Sequence, residues 1–304
     1  MKMLVFSHRE CLDHVTPPGH PERAERLAAV EAGLAGLALA KRDCPLAATV
    51  EVLRCHPADY LARVTGAVPE EGWAQLDGDT FLAPGSLKAA LRGVGGVCAA
   101  VDAVLAGEAG AAFVAARPPG HHAETARAMG FCLFGSVAIG VKRALDHHGL
   151  SRVAVVDFDV HHGNGTQDLL WEEQRCLFAS SHQMPLYPGS GAPDERGAFG
   201  QVLNVPLRAA SGGAAMRAAY ERVILPAVAA AEPELLIVSA GFDAHAADPL
   251  AQLEWEAEDF RWLAARLWEV SGGRVVSALE GGYDLGALTE SVGAYVGEMA
   301  RLDS

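Results

Sequence analysis

The chain has 304 residues, and 24 lysines and arginines against 38 aspartates and glutamates give it a formal net charge of −14. Hydrophobic residues make up 50% of the sequence, which is enough for a full core and excludes an intrinsically disordered chain. The acidic balance argues against a nucleic-acid partner, which needs clustered lysine and arginine. The length permits two domains, but α/β folds often run this long as one, so we expect a single domain over residues 1–304.

Short apolar stretches of strand character alternate along the chain with helical stretches rich in alanine and leucine. The predicted strands are Met3–Phe6, Val50–Leu53, Ala112–Ala115, Val153–Phe158, Cys176–Ala179, Leu235–Ser239 and Arg274–Ala278. The predicted helices are Glu22–Ala38, Ser86–Ala106, Ser136–His148, Ala214–Ala230, Glu256–Val270 and Leu285–Ala300. This alternation predicts an α/β fold with one doubly wound parallel sheet and helices on both faces.

Nothing in the sequence indicates export or membrane insertion. The apolar run near the N-terminus is too short for a signal peptide, and the uncharged run from Ala128 to Val141 is shorter than the ~18 residues of a membrane span. The six cysteines are scattered and form no Cys-x-x-Cys pair, which is typical of reduced thiols. We therefore expect a cytoplasmic protein without a membrane partner.

Four of the predicted strands lead into loops with unusual polar residues. In doubly wound sheets, ligands bind beyond the carboxyl ends of the strands, so these loops are the candidate site. The four stretches are Arg117–His122, Asp157–Gly165, Gly241–Pro249 and Glu280–Tyr283.

The second of these stretches has the spacing of a metal site. Asp157, Asp159 and His161 are two residues apart, so their side chains can converge at a strand end, and Asp248 supplies a further carboxylate. Carboxylates with an imidazole suit zinc, with iron, cobalt or manganese as alternatives. A polar strand exit solvated by water is the other reading, but the apolar strand before it favours a metal. Three protein ligands with an open position are typical of a catalytic metal.

Two further features suit proton transfer and charge stabilisation. His121 and His122 follow a Pro-Pro-Gly turn, and histidine transfers protons near neutral pH. Asp157 and Asn164 are available to orient them. Tyr283 follows two glycines and could donate a hydrogen bond to a developing oxyanion, although ordinary packing would also explain a tyrosine there.

Taken together, these motifs resemble the zinc-dependent histone deacetylase family, in particular its bacterial class II-like deacetylase and amidohydrolase branch, which is related to the acetylpolyamine amidohydrolases. The resemblance spans nearly the whole chain in the family's order and implies an arginase/deacetylase-type fold. The matching stretches are His20–Arg23, Pro118–His122, Gly130–Cys132, Asp157–Thr166, Ser239–Asp243, Asp248–Leu250 and Glu280–Tyr283.

The resemblance implies roles for the catalytic residues. The metal ligands would be Asp159, His161 and Asp248, holding one catalytic Zn²⁺ for which Fe²⁺ or Co²⁺ could substitute. His122 would be the general base and leaving-group acid, with His121 as its electrostatic partner and Tyr283 stabilising the transition state. Asp157 would orient His121, and Asn164 would orient His122. The asparagine at position 164 resembles the class II branch of the family, which has asparagine at this position.

The resemblance also implies substrate contacts and a second ion. The substrate-binding residues would be Gly130, Phe131, Tyr187, Leu250 and Gly281. Phe131 and Tyr187 would form the walls of an acyl-lysine tunnel, where the family usually has phenylalanine in place of Tyr187. Leu250 stands where relatives specialised for acetylpolyamines can carry glutamate, and Asp79 aligns loosely with a rim carboxylate. A structural K⁺ site would be formed by Asp157, Asp159, His161 and Ser180.

We therefore predict a zinc-dependent hydrolase that removes an acyl group, in particular acetyl, from a lysine side chain or a similar primary amine. The expected partner is an acylated lysine peptide or a small acylated amine. Three alternatives remain open: an acetylpolyamine amidohydrolase, a manganese ureohydrolase of the arginase type, and a non-catalytic homologue that binds acyl-lysine.

Overall fold

The computed structural model describes residues 2–304. The strands are β1 (Leu4–Ser7), β2 (Ala40–Asp43), β3 (Ala74–Gln75), β4 (Phe81–Leu82), β5 (Ala111–Ala115), β6 (Val153–Asp157), β7 (Cys176–Gln183), β8 (Val202–Leu207), β9 (Leu235–Ala240) and β10 (Val275–Leu279). The helices are α1 (Glu25–Gly33), α2 (Thr49–Val52), α3 (Ala58–Gly66), α4 (Ser86–Leu105), α5 (Ser136–Lys142), α6 (Asn164–Leu169), α7 (Gly213–Ala219), α8 (Leu225–Ala231), α9 (Ala257–Ser271) and α10 (Leu285–Leu302). A wider π-helical turn continues α5, and another joins α7 to α8.

Eight of the strands form one sheet in the order β2-β1-β5-β10-β9-β6-β7-β8, and every neighbouring pair is parallel. The remaining two strands, β3 and β4, form a small antiparallel hairpin. The predicted α/β fold, with a parallel sheet between helical layers, is confirmed.

Helices cover both faces of the sheet and create two separate hydrophobic cores. Helices α4 and α5 pack on one face, while α1, α8, α9 and α10 cover the other. Strand β6 serves both cores, because Val153 and Val155 point into one and Ala154 and Val156 into the other. A strand buried on both faces is apolar throughout, which explains why the central strands could be recognised from composition.

The prediction of a strand at Val50–Leu53 is wrong, because this stretch lies outside the sheet and forms the one-turn helix α2. Its alternating sequence suggested a half-buried strand, yet Val52 alone is buried, whereas Val50 and Leu53 are 59% and 42% exposed. Strands β2 and β8 were not predicted. Both are edge strands: β2 reads Ala-Lys-Arg-Asp, and β8 contains Pro206. Charges and proline are common at edges and hide a strand from apolar pattern analysis.

The four predicted polar stretches follow β5, β6, β9 and β10, which are adjacent at the centre of the sheet. Their carboxyl ends therefore meet above the middle of the fold. Within residues 2–304, no helix has the length and apolar character required to cross a bilayer.

Candidate active site

Asp159, His161 and Asp243 form a buried group that could hold a metal ion. The first two follow β6, and Asp243 follows the neighbouring strand β9. One ligand atom from each of the three lies within 4.8 Å of the others. The His161 Nδ1 atom is 3.1 Å from Asp159 Oδ1 and also 3.1 Å from Asp243 Oδ2. The site therefore combines two carboxylates and one imidazole.

Asp248, the expected third ligand, lies outside this group and is replaced in it by Asp243. Its Oδ2 accepts the Tyr283 N–H at 2.7 Å and its Oδ1 accepts the Leu250 N–H at 3.0 Å, so both oxygens hold backbone amides. Asp243 follows Ala240, the last residue of β9, more closely than Asp248 does, which keeps its carboxylate at the strand end. The signal for Asp243 was present in the Ser239–Asp243 motif.

The backbone around the group fits a metal site closely. The Gly281 N–H donates to Asp159 Oδ2 at 2.8 Å. A Cβ atom at Gly281 would collide with the Asp243 carboxylate, and one at Gly241 would collide with that of Asp159. Gly281, predicted as a substrate contact, thus packs directly against the carboxylates of Asp159 and Asp243. Two carboxylate oxygens and one imidazole nitrogen in a buried cradle are donor types that zinc accepts.

The environment of the group shifts the pKa values of Asp243 and His161. Burial raises the pKa of Asp243, and the nearby Asp159 carboxylate raises it further. Burial lowers the pKa of His161, but the hydrogen bonds to Asp159 and Asp243 outweigh this effect and raise it to about 10. A proton and a metal ion would compete for the same Nδ1 atom, so metal affinity should fall as the pH decreases.

His121 and His122 lie side by side, with their ring centroids 4.0 Å apart, but their environments differ. His121 Nδ1 is 3.1 Å from Asp157 Oδ2. Burial lowers the pKa of His121, yet the Asp159 and Asp157 carboxylates outweigh burial and raise it well above its usual value. Burial, together with the positive charges of His121 and His161, lowers the pKa of His122. These opposite pKa shifts favour the protonated form of His121 and the neutral form of His122.

Asn164 fixes the tautomer of His122. The Asn164 side-chain nitrogen donates to Glu124 Oε1 at 2.7 Å, which turns its oxygen toward His122. That oxygen is 2.8 Å from His122 Nδ1 and can only accept, so Nδ1 carries the proton. The other nitrogen, Nε2, is left with its lone pair free to accept a proton.

Tyr283 is held by both its backbone and its ring. Asp248 binds its N–H, and the Arg26 guanidinium lies 4.9 Å from the ring centroid. The ring of Phe131 meets it edge to face at 5.8 Å. Burial raises the pKa of Tyr283 well above its ordinary value, and the Asp243 carboxylate adds to this despite Arg26. The hydroxyl thus remains a hydrogen-bond donor at neutral pH.

A cavity of about 250 Å³ opens above these groups. Four of the predicted substrate contacts line it: Gly130, Phe131, Tyr187 and Leu250. The other lining residues are Asp79, His122, His161, Leu186 and Tyr283. Asp79 Oδ1 accepts the Gly130 N–H at 3.2 Å and thereby ties the hairpin loop to the cavity wall. Leu186 is a further lining residue, which no motif in the sequence predicts.

A buried ion network behind Tyr283 gives a structural reason for the His20–Arg23 motif. The Glu22 carboxylate pairs with Arg117 at 2.7 Å and with Arg26 at 3.0 Å, and all three side chains are fully buried. Arg26 Nε donates to the Gly282 carbonyl at 2.7 Å. The network therefore anchors the segment that carries Tyr283 to the N-terminal part of the chain.

The residues predicted for a potassium site also lie together. Ser180 of β7 is directly paired with Asp157 of β6 in the sheet. Both are fully buried, and Asp159 and His161 follow Asp157 along the same turn. The potassium site itself stays a prediction.

The chain is similar to known proteins over most of its length. The histone deacetylase domain profile matches residues 20–299. The chain is 42% identical over 279 residues to a histone deacetylase-like amidohydrolase of Pseudomonas aeruginosa, covering 89% of this chain and 72% of that protein. It is 38% identical over 318 residues to histone deacetylase 10, chloroplastic, of Oryza sativa subsp. japonica, covering 93% and 72% respectively. The crystal structure of the HDA15 HD domain matches with a TM-score of 0.93 and 30% identity, covering 98% of this chain and 90% of that one.

The chain belongs to the histone deacetylase family. Its homologues support a deacetylase function, and its fold is that of the histone deacetylase domain.

Proposed function

We propose that residues 1–304 act as one catalytic domain, a zinc-dependent hydrolase that removes an acetyl or related acyl group from the amine of a lysine side chain. The observation that carries this proposal is that His122, His161 and Tyr283 line one cavity beside the buried carboxylates of Asp159 and Asp243. A base, a metal-ligating group and an oxyanion donor are thus available to one substrate. Fe²⁺ or Co²⁺ could substitute for zinc in the same donor set.

The proposed ligands are Asp159, His161 and Asp243. A zinc ion bound there would supply Lewis acidity, polarising the acyl carbonyl and lowering the pKa of an attacking water. The protein supplies the proton transfers and the remaining charge stabilisation.

In the proposed reaction, His122 Nε2 removes a proton from the attacking water and later gives it to the departing amine. Its Nδ1 proton stays bound to Asn164, so the ring keeps one orientation throughout. The charge of His121, held by Asp157, disfavours a second proton on His122 before the water attacks the acyl carbon. The Tyr283 hydroxyl donates to the acyl oxygen as that oxygen gains negative charge.

The cavity walls suit a neutral alkyl chain. Phe131 and Tyr187 present aromatic surfaces, and Leu186 and Leu250 present aliphatic ones. The ring of Tyr187 lies 5.2 Å from that of His122, so the walls extend to the proposed base. A lysine stem carrying an acyl group at its end is of this kind. We infer that an acylated lysine peptide is preferred over an acylated polyamine.

Replacing Leu250 with glutamate should shift the preference toward acetylpolyamines. Leu250 lines the cavity and offers no charge to a distal ammonium, so Asp79 is the one carboxylate of the lining that could pair with it. A carboxylate at this partly exposed position should contribute about 1 kcal/mol or less, which corresponds to a change of up to roughly fivefold in the kcat/KM ratio. Leu250→Gln provides the neutral control. If the wild-type enzyme already prefers acetylspermidine to acetyl-lysine peptides, Leu250 does not determine the preference.

A second prediction concerns the pH profile. A carboxylate next to His122 Nδ1 should raise the pKa of His122, and His122 must be neutral to accept a proton. Asn164→Asp should therefore move the acidic limb of the kcat/KM profile to higher pH by roughly one unit. Because Glu124 accepts the Asn164 amide, the substitution is best made together with Glu124→Gln, and Glu124→Gln alone is the control. An unmoved limb in a folded double variant would contradict the proposed base.

The proposed function itself is tested with a panel of acetyl-lysine peptides, acetylpolyamines and small acylated amines, with release of the free amine as the readout. We expect zinc-dependent turnover that is highest for the acyl-lysine peptides and is abolished in His122→Ala. Absence of turnover on every substrate, with metal bound, would favour a protein that only binds acyl-lysine.

Two further expectations form part of the proposal. A structural K⁺ held by Asp157, Asp159, His161 and Ser180 would stabilise the turn after β6, and the close pairing of Ser180 with Asp157 supports it. A cytoplasmic location is supported by the six cysteines, none of which is in a disulfide.

A further inference from the structure

Glu280 connects β10 to the backbone of the tandem histidines. It directly follows the last residue of β10, Leu279, and its side chain is fully buried. Its Oε2 accepts the N–H of Gly120 at 2.7 Å and the N–H of His121 at 3.1 Å. The carboxylate does not line the cavity.

The environment of Glu280 is unusual for an acidic side chain. Its Oε1 is buried and has no hydrogen-bond partner. Leaving a buried carboxylate oxygen unpaired costs free energy, whereas an apolar residue could fill the same space without that penalty. The hydrogen bonds of the carboxylate with Gly120 and His121 offset this cost and give a physical reason for a glutamate at this position.

His121 is held at three points, two on its backbone and one on its ring. Glu280 binds its N–H, the Thr166 N–H donates to its carbonyl at 3.0 Å, and Asp157 binds its ring. Gly120 is constrained as well, because a Cβ there would lie 2.7 Å from the Phe134 carbonyl oxygen. His122 is the next residue in the chain, so a displacement of the 120–121 backbone would move it directly.

We infer that Glu280 is a positioning residue, which clamps the Gly120–His121 backbone to β10 and so sets the placement of His122 in the cavity. The inference rests on the proposed function, because its consequence for turnover assumes that His122 is the base. The clamp needs an oxygen acceptor at the right distance and does not need a negative charge. Consistent with this, burial raises the pKa of Glu280 to about 7 despite the opposing effect of His121.

Three substitutions separate acceptor geometry from charge. Glu280→Gln keeps an oxygen at the same distance and removes the charge, Glu280→Asp keeps the charge and withdraws the oxygens by one methylene, and Glu280→Met removes both. We expect Gln to retain kcat within about threefold, while Asp and Met lose roughly 10- to 100-fold in kcat, since small misplacements of catalytic groups have effects of this size. KM and metal content should change little in all three variants.

Glu234 provides a matched control. Its Oε1 accepts the Ser151 N–H at 2.7 Å and the Arg152 N–H at 3.1 Å, and these distances equal those from Glu280 to Gly120 and His121. Ser151 and Arg152 lie just before β6, at the opposite end of the sheet from the site. Glu234→Asp should loosen those two amides and leave kcat unchanged.

Amide hydrogen exchange gives a readout that does not depend on turnover. In the Asp and Met variants, exchange at Gly120 and His121 should accelerate at least tenfold, and in Glu280→Gln it should stay near the wild-type rate. An Asp variant more active than the Gln variant would show that charge matters instead and would overturn the inference, as would unchanged exchange in both Asp and Met. If the wild-type protein hydrolyses no acyl amide but the exchange pattern holds, the proposed function fails while the clamp stands. If the Met variant does not fold, the order of Gln and Asp decides the outcome.

Discussion

Asp243→Ala should abolish metal binding and activity together. Asp243 contributes one of the three clustered ligand atoms, and its removal leaves two. Loss of partners outside the ligand set typically weakens metal binding 10- to 100-fold, and loss of a ligand should exceed that. Elemental analysis of the purified variant, with kcat/KM on an acetyl-lysine peptide, measures both effects.

Asp248→Ala is the informative comparison, because the sequence alone had favoured Asp248 as the ligand. Both of its oxygens hold backbone amides, including that of Tyr283, so the variant should retain metal while losing activity through a displaced tyrosine. Full metal occupancy in Asp243→Ala, or metal loss confined to Asp248→Ala, would reverse this assignment of the third ligand.

Tyr283→Phe should lower kcat by two to three orders of magnitude with metal content unchanged. The ring contacts with Phe131 and Arg26 should survive the substitution, and only the hydroxyl that we propose donates to the acyl oxygen is lost. Loss of one oxyanion donor typically costs about 2.7–4 kcal/mol in the transition state, which corresponds to this range. Steady-state kinetics with matched metal loading measures the effect.

Tyr295→Phe is the control for the loss of a buried tyrosine hydroxyl. Its hydroxyl is 2.9 Å from Ser277 Oγ in the core, away from the cavity lining. This substitution should cost about 1 kcal/mol of stability and leave kcat unchanged. A Tyr283→Phe enzyme as active as Tyr295→Phe would show that Tyr283 only packs.

The centre of the fold and most of the site could be predicted because one physical cause fixes both. Strands buried on two faces must be apolar, so β5, β6, β9 and β10 are conspicuous in the sequence, and the polar residues that follow them must meet at one edge. The spacing of Asp159 and His161 then brings their ligand atoms together. These features depend on local sequence and on the parallel order of the strands.

Other parts of the fold and site could not be predicted, because they depend on tertiary contacts that no local sequence pattern indicates. The choice between Asp243 and Asp248 depends on how the loop after β9 turns: Asp243 Oδ2 lies 3.1 Å from His161 Nδ1, whereas both oxygens of Asp248 accept backbone amides. The edge strand β2 is largely charged and exposed. Glu280 and Gly120 are far apart in sequence, so their hydrogen bond appears only when β10 and β5 are placed side by side.

We propose that this chain is a hydrolase of acyl-lysine that uses one zinc ion per chain. The most direct test strips the protein of metal with a chelator, adds Zn²⁺ stepwise, and measures acetate release from an acetyl-lysine peptide at each step. We expect activity to rise in proportion to added zinc and to level off at one ion per chain. Absence of acetate release at every zinc loading, or activity that requires two manganese ions per chain, would contradict the claim.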